Sequence, residues 1–152
     1  MASDQSMALG KYEHLSSLFQ YLSAKSVMCR NKSRIMKMQS TDVIVKAGKE
    51  FVLPIMVSKA GTTIHWVFHT NTYDIHFGIA KFNENNERVW IVANTAYPPS
   101  DPQQGKVVIE EPGNYFLVWD NTYSWFHEKS VFYSIETIMP EPTVDEQVTC
   151  AR

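Results

Sequence analysis

An all-β sandwich or barrel with an amphipathic helix ahead of it is the fold class that this 152-residue sequence predicts. Three observations carry that reading. From Asp42 onward the chain breaks into about eight short runs rich in β-branched and aromatic residues, set off by turn-forming residues. Two of those runs alternate apolar and polar side chains with the period of a half-buried strand. Before Asp42 the period changes: Leu15, Leu18, Phe19 and Leu22 recur at i, i+3, i+4 and i+7, and Tyr12 extends the stripe by a turn.

In chain order, residues 1–10 carry no periodic pattern, and residues 11–26 hold the predicted helix. A basic stretch follows, with Lys25, Arg30, Lys32, Arg34 and Lys37 and no acid among them. Ser40-Thr41-Asp42 then punctuates the sequence. The β-like runs lie near 42–47, 49–58, 62–70, 73–82, 88–94, 105–110, 113–120 and 130–139. Between them stand Ala47-Gly48-Lys49, Ala60-Gly61, Asn71-Thr72, the Asn83–Asn86 cluster, Pro98-Pro99-Ser100-Asp101-Pro102 and Pro112-Gly113, all of turn-forming composition. Pro54 within the second run places that strand at an edge or a bulge, because proline offers no N–H to a ladder. The expected domains are an N-terminal extension over 1–41, a β-sandwich over 42–140 and an acidic tail over 141–152.

The alternation assigns faces. In Thr62–Thr70, Ile64, Trp66 and Phe68 share one side, and in the next run Tyr73, Ile75, Phe77 and Ile79 do so. These sets are expected in the core. Burying each large side chain contributes roughly 1.5–3 kcal/mol, so a one-residue slip is strongly disfavoured. Residues 115–119 and Val131-Phe132-Tyr133 do not alternate. Strands apolar on both sides need cover on both sides, and the expected cover is the helix, another chain or a partner.

Composition narrows the function classes. Hydrophobic residues make up 44% and charged residues 20%, with a net charge of −2, so no global field points to nucleic acid. Residues 1–41 hold six Lys or Arg against two acids, and the remainder holds eight against fourteen, which sets a positive arm before a negative body. Cys29 and Cys150 make no disulfide framework, and residues 1–10 lack the basic start and apolar run of a signal peptide. A cytoplasmic protein is expected.

No catalytic constellation emerges, so no enzyme, cofactor or metal is expected. His65 and His69 are four residues apart on one strand, about 13 Å along it, too far to share an ion with bonds of roughly 2 Å. His76 falls on the polar side of the next strand. The basic residues read either as a solvated linker or, with the helix, as a membrane-surface anchor for an anionic leaflet.

The densest motif is Trp119-Asp120-Asn121-Thr122-Tyr123-Ser124-Trp125-Phe126-His127. Asp120 and Asn121 are residue types whose side chains bond nearby backbone N–H groups and tighten a turn, with Tyr123 anchoring it through its ring and hydroxyl. Trp125, Phe126, His127 and Lys129 remain as candidates for contact with a partner or a membrane. A sugar-stacking platform is a minor alternative.

A set of motifs then carries a resemblance. W-x-F (Trp66, Phe68), D-I-x-F-G-I (Asp74 to Ile79), P-G-x-Y-x-L-x-W-D-N-T-Y-S (Pro112 to Ser124) and K-x-V-x-Y (Lys129 to Tyr133) together resemble the GOLD, or Golgi-dynamics, domain over residues 42–140. Among such proteins the sequence looks most similar to the domain that ends CRAL-TRIO lipid-transfer proteins of the supernatant-protein-factor type. The resemblance implies a jelly-roll-like antiparallel β-sandwich, no catalytic activity, and work as a protein-interaction adaptor in membrane traffic or lipid handling. It implies protein partners from trafficking, and a place in the cytoplasm or peripheral on Golgi or endosomal membranes. Binding is expected through sheet edges or exposed sheet faces, with self-association as a further way to cover those faces. The competing reading is a peripheral membrane or lipid-binding protein that uses residues 11–37 and the Trp125-Phe126 loop.

Overall fold

A computed structural model describes residues 35–37, 40–99 and 101–141. The expected helix at 11–26, the basic residues Lys25, Arg30, Lys32 and Arg34, both cysteines and the tail beyond Glu141 lie outside the described residues. The described chain is all-β and forms two antiparallel sheets. Its nine strands are β1 (Ile35–Lys37), β2 (Thr41–Val45), β3 (Glu50–Val57), β4 (Thr62–Thr70), β5 (Ile75–Phe82), β6 (Arg88–Tyr97), β7 (Gln103–Ile109), β8 (Gly113–Asp120) and β9 (Lys129–Ile138).

One sheet has the order β1-β9-β4-β7, with β2 pairing β9 as well; the other has the order β3-β8-β5-β6. The strand that sequence reading passed over is β1, which lies within the basic stretch. Lys37, a candidate for membrane contact, has its backbone paired with Glu136 of β9. Charge composition hid a short strand whose formation depends on a partner about a hundred residues away.

The core lies between the sheets and follows the alternation. Ile64, Trp66 and Phe68 of β4 face Ile75, Phe77 and Ile79 of β5, and Tyr115, Leu117 and Trp119 of β8 face Val131, Tyr133 and Ile135 of β9. Trp119 is central: its ring centroid lies 5.0 Å from Phe77, 4.9 Å from Tyr133, 5.7 Å from Phe51 and 5.9 Å from Phe68. Tyr73 is not part of this set. It precedes β5, is 39% exposed and sits in a loop that the Thr70 hydroxyl closes by donating to the Tyr73 carbonyl.

Among the described residues, the second apolar side of β8 is covered in part from within the same sheet. Phe116 and Val118 are buried on the outer side. Two register shifts between β5 and β6 give β6 two extra residues opposite Phe77–Ala80, and such bulges bend and twist a strand. As a result β6 presses on the outer side of β5 at Gly78, the cross-strand neighbour of Val118. A Cβ on Gly78 would meet the Asn94 Cα at 2.9 Å and the Trp90 ring at 2.8 Å, so only glycine admits this approach. Phe82 adds its ring edge to Phe116 at 5.1 Å. Arg88 of β6 reaches Glu50 of β3 with two bonds of 3.0 and 2.8 Å. The two edge strands thus approach each other over the outer side.

Phe132 of β9, the other doubly apolar site, stacks on His69 at 4.9 Å with an interplanar angle of 9°. Pro54 sits in β3, an edge strand, as its missing N–H requires.

Candidate functional site: a clasped turn with an aromatic tip

Strand β8 ends at Asp120 and β9 begins at Lys129, so the densest motif of the sequence forms the connection between two strands of different sheets. Asp120 makes the first turn. Its Oδ1 accepts from the Thr122 backbone N–H at 2.8 Å and from the Thr122 hydroxyl at 2.6 Å, while Oδ2 accepts from Asn94 Nδ2 at 3.0 Å. Partial burial pushes the Asp120 carboxyl up. The bonds from Thr122 and Asn94 and the nearby His76 outweigh it and hold the carboxyl below its ordinary range. Its folded-state value is therefore below the unfolded one, and the stability it contributes is present above the unfolded value and lost as pH falls through the folded one. We expect thermal stability to drop on acidification from about pH 5 towards pH 2–3, and an Asp120→Asn variant to lose part of that slope. Melting curves across this range, wild type against variant, check the expectation; identical slopes would remove Asp120 from the account.

Asn121 is fully buried and works in the opposite sense to an N–H acceptor. Its Nδ2 donates to the carbonyls of Val45 at 3.1 Å, Lys46 at 3.2 Å and His127 at 2.8 Å. Its backbone N–H donates to the Lys49 carbonyl, and its own carbonyl accepts from Gly48 and Ser124. Gly48 makes this approach with φ of 70°, in the left-handed region that glycine occupies at no steric cost. One side chain thereby ties the end of β2, the β2–β3 turn and the base of the β8–β9 loop. The sequence identified Asn121 as a turn residue but gave it the wrong partners.

The other side of the loop is held by the β4–β5 connection. Tyr123 donates its hydroxyl to the Asp74 carbonyl at 3.0 Å and stacks on His76 at 4.4 Å. Burial, then the charge and bond of Asp74, push the Tyr123 hydroxyl well above its usual range, so it stays a neutral donor. Lys129 is the correction among the contact candidates. It is only 4% exposed, and its ammonium donates to the Asp74 carbonyl at 2.6 Å, to Asp74 Oδ1 at 3.3 Å and to the Tyr123 hydroxyl at 3.1 Å. The Tyr123 and Tyr73 rings flank it at 4.7 and 5.7 Å. Lys129 therefore belongs to the clasp and presents no charge to a partner. A buried ammonium is tolerated there because carboxylate, carbonyl, hydroxyl and ring faces replace its water.

What the clasp holds out is the tip. Trp125 is 87% exposed and Phe126 88%, the most exposed large apolar side chains among the described residues. The loop beneath them is closed by Ser124, whose hydroxyl donates to the His127 carbonyl at 3.1 Å and accepts from the His127 N–H at 3.3 Å. The His127 ring rests against Tyr73 at 4.5 Å. Of the sequence candidates, the structure sets Trp125, Phe126 and His127 on the outside and Asp120, Asn121, Tyr123 and Lys129 in the support. The residues that sequence reasoning missed are Asp74, Tyr73 and His76, which lie about fifty residues earlier. Asp74 and His76 belong to the D-I-x-F-G-I motif and Tyr73 immediately precedes it, but alternation assigns Tyr73 to the core and His76 to a polar face, with no sign of this loop.

Fold and loop together define an antiparallel β-sandwich that presents a pinned aromatic tip. No family model matches the chain. The chain is similar to FYVE and coiled-coil domain-containing protein 1 of Homo sapiens, with 32% identity over 107 residues, covering 66% of this chain and 7% of that protein. It is also similar to Protein ctg-1 of Caenorhabditis elegans, with 33% identity over 98 residues, covering 60% of this chain and 25% of that protein. It thus spans a small part of either relative. Among solved structures, the Yersinia pseudotuberculosis-derived mitogen superposes with a TM-score of 0.45 at 12% identity, covering 75% of this chain and 92% of that one. A Bacillus endospore appendage structure gives 0.44 at 8% identity, covering 75% and 96%.

Proposed function

We propose that this chain is a non-catalytic interaction module of membrane trafficking, a GOLD-like jelly roll that works as an adaptor and docks protein partners through its aromatic tip and its sheet edges. The observation that carries the reading is the tip: two large rings stand almost fully in water on a loop held at its base by the hydrogen bonds of Asp120, Asn121, Tyr123, Ser124 and Lys129. Keeping tryptophan and phenylalanine wet forgoes roughly 1.5–3 kcal/mol each, and rigid aromatic anchors of this kind dominate the energetics of binding surfaces. The strand orders β2-β9-β4-β7 and β3-β8-β5-β6 fit a jelly roll. Similarity to short portions of two much longer proteins favours a portable module. The GOLD-like block over 42–140 supplies the link to trafficking, and with it a cytoplasmic site of action at Golgi or endosomal membranes.

The same two rings support a second reading, insertion into a membrane surface. Among the described residues no helix is long and apolar enough to cross a membrane. The Trp125→Ala, Phe126→Ala double variant separates the readings. Both rings are exposed, so its melting temperature should match wild type. Under the adaptor reading the variant loses at least tenfold in affinity for proteins captured by wild type, and neither form sediments with anionic vesicles at low salt. Sedimentation of wild type with vesicles, a blue shift of Trp125 fluorescence and loss of both in the variant would instead establish the membrane reading. An unchanged protein-capture profile together with no vesicle binding would reject both.

A further inference from the structure

The proposed adaptor role leaves open which edge accepts a partner, and the four sheet edges are not equivalent. On β3, Pro54 interrupts the row of donors, and Arg88 is fastened across to Glu50. On β6 the two bulges break the spacing that a new strand would need. The edge formed by β1 and β2 consists of strands of only three and five residues. Bulges, prolines and short strands are the ordinary protections of a sheet edge. The remaining edge is β7, seven residues long, with no proline and an unbroken register against β4 from Thr62↔Ile109 to Phe68↔Gln103. No described strand lies on its other side.

We infer that β7 is the edge at which an extended acidic peptide segment adds as a further strand of the sheet. Half of the β7 backbone groups turn away from β4 and are ready to pair. From the core side Gly105 makes room for the Trp66 ring, which a Cβ there would overlap, and Val107 and Ile109 pack inward. Its outward side chains are Gln104, Lys106 and Val108, and Val108 is 57% exposed. Among the described residues Lys106 takes part in no ion pair. A lysine at the middle of an edge repels a second copy, because antiparallel self-pairing centred there sets Lys106 against Lys106. The same charge favours a strand that carries a carboxylate opposite it and an apolar residue two positions along, beside Val108. This inference deepens the adaptor reading and rests on it, but it uses a surface separate from the tip.

The test uses the full chain and two synthetic seven-residue peptides of alternating valine and threonine. One has a central glutamate, the other a central lysine, and amide NMR spectra report binding. The glutamate peptide should shift and protect from exchange the amides of Gln103–Ile109, and N-methylation of its alternate amides should abolish binding in one phase of alternation only. The Lys106→Glu variant should bind the glutamate peptide about fivefold more weakly and accept the lysine peptide instead. The Trp125→Ala, Phe126→Ala variant should bind as wild type does, so loss of tip function leaves this result intact. Shifts confined to other strands, equal binding of both peptides by both forms, or β7 amides already protected in a dimer of the free chain would each overturn the inference.

Discussion

Replacing Asn121 by alanine is expected to destabilise the sandwich by about 3 kcal/mol and to lower its melting temperature on the order of 10–20 °C for a body of about a hundred residues. The amide is fully buried and its Nδ2 is shared among the carbonyls of Val45, Lys46 and His127. Alanine removes one donor from all three. The His127 carbonyl keeps the Ser124 hydroxyl and the Lys46 carbonyl keeps the Lys49 N–H, so the cost falls chiefly on the Val45 carbonyl and on the lost ties between the three segments. Losing the partner of a buried polar group costs about 1–3 kcal/mol. The orientation of the amide is itself fixed by this set, since three acceptors surround one nitrogen and Oδ1 has no partner. An Asn121→Asp variant should be no better, because a carboxylate would then face three carbonyls. Urea titrations of the three forms decide the matter. A midpoint for Asn121→Ala indistinguishable from wild type would mean that the carbonyls find other donors and the clasp is redundant.

Trp119→Ala is the other large effect, expected at about 4 kcal/mol from lost burial and the cavity left behind. The indole is fully buried among Phe51, Phe68, Phe77 and Tyr133, so its removal opens the centre of the core. Trp119→Phe should be far milder than its lost volume alone implies. The Nε1–H has no hydrogen-bond partner among the described residues, and phenylalanine removes that unpaired donor while keeping an aromatic surface. Chemical denaturation with near-ultraviolet circular dichroism as a second probe compares the two. If phenylalanine proves as damaging as alanine, the indole N–H contributes to the native state and the packing argument is incomplete.

The two residues illustrate different degrees of legibility. Trp119 was readable as a strand residue because Tyr115 to Trp119 form an apolar run just before turn-forming residues, and such a run must be covered on both sides. The nature of the cover was not readable. Among the described residues it involves two bulges in β6 and the absence of a Cβ at Gly78, and neither leaves a periodic signature. Asn121 was readable as part of a turn from its chemistry and its neighbours. Its three acceptors come from residues 76, 75 and 6 positions away, and local pattern carries no information about the first two. Lys129 shows the same limit with a reversed outcome. A lysine after a turn reads as solvent-facing by composition, and only the arrival of Asp74, 55 positions earlier, supplies the partners that let it be buried.

Local pattern was enough for the β character of the chain from Asp42 onward, the core set of β4 and that of Ile75, Phe77 and Ile79 in β5, the placing of Pro54 at an edge or a bulge, and the turn after Trp119. Each of these rests on period, φ restriction or side-chain chemistry within a few residues. Tertiary structure decided the strand order, the bulged approach of β6 to β5 at Gly78, the clasp of Asn121 and Lys129 around the loop, and the exposure of Trp125 and Phe126 as its tip. Those features require groups distant in the chain to meet at hydrogen-bond or van der Waals range, and pairing between strands, not local preference, brings them together.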